Sequence, residues 1–251
     1  MQLLISAGAS LAATAFPFFC TCLGAGLVCA LRPGSEDAAG HRAVQGFAAG
    51  VMLAASVFSL LLPAAELAAE AGFPGWLAAC GGFGLGAGLF LGLDLWFAAP
   101  AGQGLSEWAI ALHNLPEGMA VGLAAAAAAL SGVGLWAGAG AIAFGVGIQN
   151  IPEGAAVSLP ALRRTGSRRK ALAAGVLSGA VEPVGGLAAA LLAGLAAPAL
   201  PWLLAFAAGA MVYAAVSELI PSACGHQKPL PGIAGTLLGF GLMMALDMGL
   251  G

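Results

Sequence analysis

Two stretches of this chain place the same ligand-type side chains at the same spacing inside apolar sequence. One runs His113-Asn114-Leu115-Pro116-Glu117-Gly118-Met119-Ala120-Val121 and the other Gln149-Asn150-Ile151-Pro152-Glu153-Gly154-Ala155-Ala156-Val157. Each sets an ionisable Glu, an amide and a helix-breaking Pro in a hydrophobic segment of membrane length. A charge at the centre of a membrane helix costs roughly 2.5–3.5 kcal/mol, so such a residue is a functional-site hypothesis by default. The same costly pattern used twice points to a cation site between two helices.

The spacing supports that chemistry. His113 and Glu117 stand at i and i+4 and share a helix face, as do Gln149 and Glu153. Asn114 and Asn150 border those faces. Pro116 and Pro152 lack an N–H and leave the carbonyls of Leu112 and Ile148 without their usual partners. Glu182, in Glu182-Pro183-Val184-Gly185-Gly186, is a third carboxylate beside a proline. Asp94, Glu107, Glu218 and Asp247 lie nearer the ends of apolar segments, and no Lys or Arg falls within those segments to pair with any of the seven. Protons or a metal cation must neutralise Glu117, Glu153 and Glu182. One imidazole, carboxylates and amide oxygens suit Zn²⁺, Fe²⁺, Mn²⁺ or Cd²⁺ better than Cu⁺, which selects thiolates and thioethers. The mixture is also softer than a Mg²⁺ or Ca²⁺ cage. Glu117 and Glu153 could each bridge, which would admit two adjacent metals. Met52 and Met211 are candidate soft contacts on the pathway, with apolar packing as the simpler role.

The elements that must position these groups are membrane helices. The 251 residues are 61% hydrophobic and 8% charged, with 40 Gly, which excludes a water-soluble domain and fits close helix packing. Hydropathy with Gly, Pro and polar breaks gives eight spans, near 4–31, 43–63, 74–97, 105–130, 133–160, 171–195, 199–220 and 231–250. The first is longer than a signal-peptide core and is expected to be retained. Loops are short, so residues 1–251 are expected to form one transmembrane domain. Arg32 and Arg42, then Arg163, Arg164, Arg168, Arg169 and Lys170, then Lys228 all fall on one side of this arrangement. By the positive-inside rule that side is cytoplasmic and both termini face out.

The halves resemble each other. Ala48-Ala49-Gly50-Val51-Met52 recurs as Ala207-Ala208-Gly209-Ala210-Met211, and Gly86, Gly88, Leu93 and Asp94 align without gaps on Gly239, Gly241, Leu246 and Asp247. The paired spans cross in opposite directions. This predicts an inverted repeat of spans 1–3 and 6–8 around spans 4–5, a transporter signature.

Other features carry less. The five cysteines form no CxxC pair and read as apolar filler, with Cys20-Thr21-Cys22 as a weaker soft-metal relay. His41 and His226 lie in cytoplasmic loops and are candidate capture residues on the pathway, though solvated loop histidines commonly have no such role. An intramembrane zinc protease would need HExxH, which is absent, so no enzyme activity, cofactor or nucleic-acid partner is expected. A metal-selective channel and a metal sensor without flux remain the rivals to a carrier.

On these motifs, with Glu218-Leu219-Ile220-Pro221 and Met243-Met244-Ala245-Leu246-Asp247, the chain resembles the ZIP (Zrt/Irt-like protein) metal transporters, most closely their prokaryotic GufA-like branch. The resemblance implies uptake of divalent metal, zinc first, into the cytoplasm, eight helices with outside termini, and a place in the bacterial inner membrane. It implies a binuclear centre: one metal on His113, Glu117, Gln149 and Glu153, the second on Asn114, Glu117, Asn150, Glu153 and Glu182. It further implies a homodimer and an elevator-like movement of one bundle against another. Many relatives carry His in place of Gln149, and some carry Asp in place of Asn150. The His-rich loop of many relatives is here only residues 98–104.

Overall fold

The computed structural model describes residues 1–30, 39–97, 105–131, 136–225 and 229–250, and no strand occurs among them. In chain order the helices are α1 (Gln2–Ala30), α2 (Ala39–Ala55), α3 (Leu62–Glu70), α4 (Gly75–Phe97), α5 (Leu105–Ser131), α6 (Trp136–Thr165), α7 (Arg168–Gly179), α8 (Val181–Leu191), α9 (Ala193–Ala214), α10 (Ile220–Cys224) and α11 (Leu230–Leu250). Ala- and Leu-rich sequence favours helix, and in lipid the helix satisfies every backbone group internally. Turns fall where the sequence supplies them. Gly72 between α3 and α4 and Gly166 after α6 adopt positive φ, +84° and +61°, a conformation open to Gly at no steric cost. Ser167 then caps α7, its hydroxyl accepting from Lys170 N at 3.5 Å.

Two short π-helical segments interrupt otherwise continuous rods. Ser56–Leu61 joins α2 to α3, and Ala215–Leu219 joins α9 to α10. In each, an N–H reaches back five residues, Leu62 to Val57 and Ile220 to Ala215. Each is followed within two residues by a proline, Pro63 or Pro221. Such bulges recur at functional sites. A third interruption is the break at Ala180 between α7 and α8, just before Glu182-Pro183.

Six helical stretches among the described residues are long and apolar enough to cross a membrane: Gln2–Ala30, Arg42–Glu70, Gly75–Trp96, Arg168–Leu191, Pro198–Cys224 and Leu230–Gly249. The sequence reading expects eight. The other two long helices, α5 and α6, have 27 and 30 residues, ample for a span of about 20. They are the helices that carry the repeated motif, whose amides and carboxylates lower their apolarity. The second and seventh rods also run past the expected ends at 63 and 220, to Glu70 and Cys224. The π segments carry these helices on without breaking the chain direction.

The helices pack as two bundles. In one, α1 lies along α6 and α5 along α8, with α7 against both α1 and α6. In the other, α2 lies along α11 and α4 along α9. Glycine brings the backbones of the second bundle together. A Cβ added to Gly50 would stand 2.0 Å from Thr236 O and 2.7 Å from Phe240 N. One added to Gly209 would stand 2.2 Å from Phe83 O and 2.9 Å from Ala87 N. Those four partners are themselves aligned residues of α11 and α4. The main apolar core lies where the bundles meet and includes Met52, Leu60, Ala156, Val157, Ala208, Met211 and Met243.

Candidate metal site

The repeated motif closes the first bundle. Gly118, directly after Glu117, lets α5 reach the backbone of α8: a Cβ there would be 2.1 Å from Glu182 O. Gly154, directly after Glu153, does the same for α6 on α1, with Thr21 O at 2.0 Å. The Gly of each Pro-Glu-Gly triplet therefore holds its Glu against a neighbouring helix.

Six of the seven expected metal ligands are buried together. Asn114, Glu117, Asn150, Glu153 and Glu182 have 0% of their surface exposed and Gln149 has 1%. The backbone of His113 belongs to α5; its side chain lies outside the described residues. Gln149 Nε2 donates to Glu117 Oε1 at 3.0 Å, joining α6 to α5. Asn114 Nδ2 donates to Ser178 O at 3.2 Å, a carbonyl in the last turn of α7, where helical partners run out. Thr21 Oγ donates to Glu182 Oε1 at 2.8 Å, joining α1 to α8. Asn150 approaches the Glu182 carboxyl without reaching hydrogen-bond geometry. Glu117 stands in the field of Glu153 and Glu182, and Glu182 in that of Glu153.

Acceptor oxygens are in surplus here. Asn114 Oδ1, Glu117 Oε2, Gln149 Oε1, Asn150 Oδ1 and Glu182 Oε2 are buried and accept no hydrogen bond. Buried polar atoms are normally paired, and an unpaired one costs about 1–3 kcal/mol. A set of bare oxygens on three helices, mixed with carboxylates, fits a divalent cation. Among the described residues no three His, Cys, Asp or Glu side chains converge tightly enough to hold an ion alone.

The residues expected along the pathway separate. Met52 and Met211 are buried in the apolar core. Asp247 accepts from Ser59 Oγ at 2.7 Å. Both line a cleft of about 220 Å³ between α6, α11 and the first π segment with the start of α3, with Phe58, Ile148 and Met243 among its walls. Asp94 is exposed and accepts a short hydrogen bond from the Tyr213 hydroxyl. Glu218 is half-buried in the second π segment. The side chain of His41, and His226 entirely, lie outside the described residues, as does the Glu107 side chain. Thr21 and Ser178 lie outside the expected ligand motifs, yet both bond to site residues.

Fold and site together define a polytopic helical membrane protein with a buried carboxylate–amide cluster on three helices. A family model described as ZIP Zinc transporter matches residues 101–247. Zinc transporter GufA of Myxococcus xanthus is 36% identical over 91% of this chain and 100% of its own length. Zinc transporter ZIPB of Bordetella bronchiseptica is 37% identical over 93% of this chain and 79% of its own. Zinc transporter ZIP11 of Xenopus tropicalis is 47% identical over 60% of this chain, and the match spans 47% of that longer protein. The chain belongs to the ZIP family.

Proposed function

We propose that this protein transports divalent metal ions, zinc foremost with Cd²⁺, Fe²⁺ and Mn²⁺ as further candidates, into the cytoplasm through the cluster on α5, α6 and α8. It is a transporter and not an enzyme, as the names of its relatives support. The observation that carries the site is the surplus of bare buried oxygens. A cation of charge +2 offsets two carboxylates that no Lys or Arg in the spans can balance. Asn114, Glu117, Gln149, Asn150, Glu153 and Glu182 hold it, with His113 joining from α5. Glu117 and Glu153 are the bridging ligands if two ions bind. Imidazole, carboxylate and amide ligands select the borderline divalent ions.

The full architecture belongs to the same proposal. Residues 1–251 form one domain of eight spans in the bacterial inner membrane, with both termini outside. Spans 1–3 and 6–8 form an inverted repeat around spans 4–5. Three pairs of features support the repeat: the glycine seams at Gly50 and Gly209, the two π segments, and the α1–α6 and α5–α8 pairings. In this topology the cleft beside Ser59 and Asp247 opens on the outer half, and one of its walls is Ile148, the neighbour of Gln149 in α6. The ion enters there, and movement of one bundle past the other delivers it inward. A homodimer is the expected assembly.

The test is Zn²⁺ uptake into proteoliposomes, read with an entrapped metal-sensitive dye. Glu117→Ala and Glu153→Ala are expected to lower uptake to the level of empty vesicles while the purified proteins keep the wild-type elution profile. Uptake at the wild-type rate in either would end the site assignment. Flux that fails to saturate with Zn²⁺ would favour a channel.

A further inference from the structure

Glu182 bonds to a residue outside the expected ligand motifs. Thr21 of α1 is fully buried. Its hydroxyl donates to Glu182 Oε1 at 2.8 Å and stands 3.1 Å from the Pro17 carbonyl. A hydroxyl has one proton to give, and an ionised carboxylate is the stronger acceptor. The proton therefore goes to Oε1, and Oε2 accepts no hydrogen bond. One oxygen of the carboxylate is thus held by the protein and the other is left bare.

The position of Thr21 is set by backbone packing. Gly154 of α6 meets Thr21 O, as Gly118 of α5 meets Glu182 O. Gly24 of α1 meets Ile151 O, as Gly185 of α8 meets Leu115 O. Gly24 lies three positions after Thr21, as Gly185 lies three after Glu182. Thr21 thus holds on α1 the place that Glu182 holds on α8. Where the internal symmetry would put a second carboxylate, the chain has a hydroxyl turned onto the first.

We propose that Thr21 is a specificity-determining positioning residue of the metal site. By occupying Oε1 it restricts Glu182 to one oxygen towards the cation. A one-oxygen carboxylate suits the small, low-coordinate Zn²⁺, whereas larger ions gain from carboxylates that offer both oxygens. The bond therefore favours Zn²⁺ over the larger Cd²⁺. This inference rests on the reading of Glu182 as a ligand.

The experiment compares Zn²⁺ and Cd²⁺ uptake by the full-length protein in proteoliposomes, with KM and maximal rate measured for each ion. Thr21→Val keeps the shape and removes the donor; Thr21→Ser keeps the donor and removes the methyl. Loss of a group that orients a ligand lowers metal affinity about 10–100-fold. Thr21→Val is expected to raise the KM for Zn²⁺ at least tenfold, at the lower edge of that roughly 10–100-fold range, and to raise that for Cd²⁺ less. The Zn²⁺/Cd²⁺ preference falls, and Thr21→Ser restores it. A purely structural role would lower the maximal rate for both ions and leave the preference unchanged. An unchanged preference in Thr21→Val, or a Thr21→Ser as shifted as Thr21→Val, would overturn the proposal. Should Thr21→Val not assemble, Thr21→Ala read against Thr21→Ser decides by the same ratio. Glu182→Gln runs in parallel. If it has a raised KM while Thr21→Val has none, only the role of Thr21 falls. If Glu182→Gln transports with the wild-type KM and preference, Glu182 is not a ligand and both readings fall.

Discussion

At Glu117 one carboxylate oxygen takes a hydrogen bond from Gln149 and the other takes none. The same division occurs at Glu182 with Thr21. Metal ligands bind in their deprotonated forms, so at the proposed site protons and metal compete for these groups. Zn²⁺ affinity, measured by titration calorimetry on the purified protein, is therefore expected to fall as pH is lowered. His113→Gln removes the imidazole and should weaken binding, yet the pH dependence should persist through the carboxylates. Its disappearance in that variant would make His113 the sole proton competitor. Most of this cluster is legible in the sequence, because an Asn, a Pro and a Glu repeated in apolar segments have few other uses. Thr21 and Ser178 are not. A Thr in a membrane helix ordinarily bonds its own backbone, as Thr14 does to Ser10 O, and only packing across 161 positions brings Thr21 to Glu182.

At the scale of the helix, the glycines after Glu117 and Glu153 decide how close the site helices come. Gly154→Ala would force a Cβ to within 2.0 Å of Thr21 O, a backbone atom that cannot swing aside. Gly140, on the same helix, has nothing within 4 Å of the Cβ position. Gly140→Ala is expected to be neutral or to stabilise by up to about 1 kcal/mol, the helix-propensity difference. Gly154→Ala should lower the unfolding temperature of the purified protein, or prevent its assembly. Equal unfolding temperatures for the two variants would show that α1 and α6 are not held at that contact. Helix existence and approximate ends are readable from apolar length and from Gly and Pro. The π segments are not, because a shift from four to five residues in hydrogen bonding leaves the composition unchanged. Pro63 and Pro221 mark where each segment gives way, but a proline alone does not tell a π segment from a kink. The break at Ala180 is hidden for the same reason: Pro183 is visible, yet the expected sixth span runs straight through it.

For the whole molecule, the proposed eight-span arrangement predicts which loops face the cytoplasm. Residues 163–170, where α6 gives way to α7, carry five of the eight basic residues. In a background with the five native cysteines replaced, Ser167→Cys should resist membrane-impermeant thiol reagents in intact cells. Gly132→Cys, on the loop expected at the opposite face, should react. The reverse pattern would invert the topology and with it the direction assigned to the cleft. The order of the spans follows from hydropathy and charge, but their sorting into two bundles does not. It depends on which glycines face which backbones, and 40 glycines offer too many choices to read from a string.

The glycine seams at Gly50 and Gly209 also determine which parts of the protein open last. Where backbones lie in direct contact, no water or lipid reaches the amides between them, and local opening is rare. Amide hydrogens over residues 43–52 of α2 and 232–240 of α11 should therefore exchange with deuterium slowest. Those around the turn at Ala180, where Pro183 has no N–H to give the Gly179 carbonyl beside Glu182, should exchange sooner. Pulse labelling in detergent, read by mass spectrometry, would rank them. On that ranking the seams stay closed longest, and the turn beside Glu182 opens first.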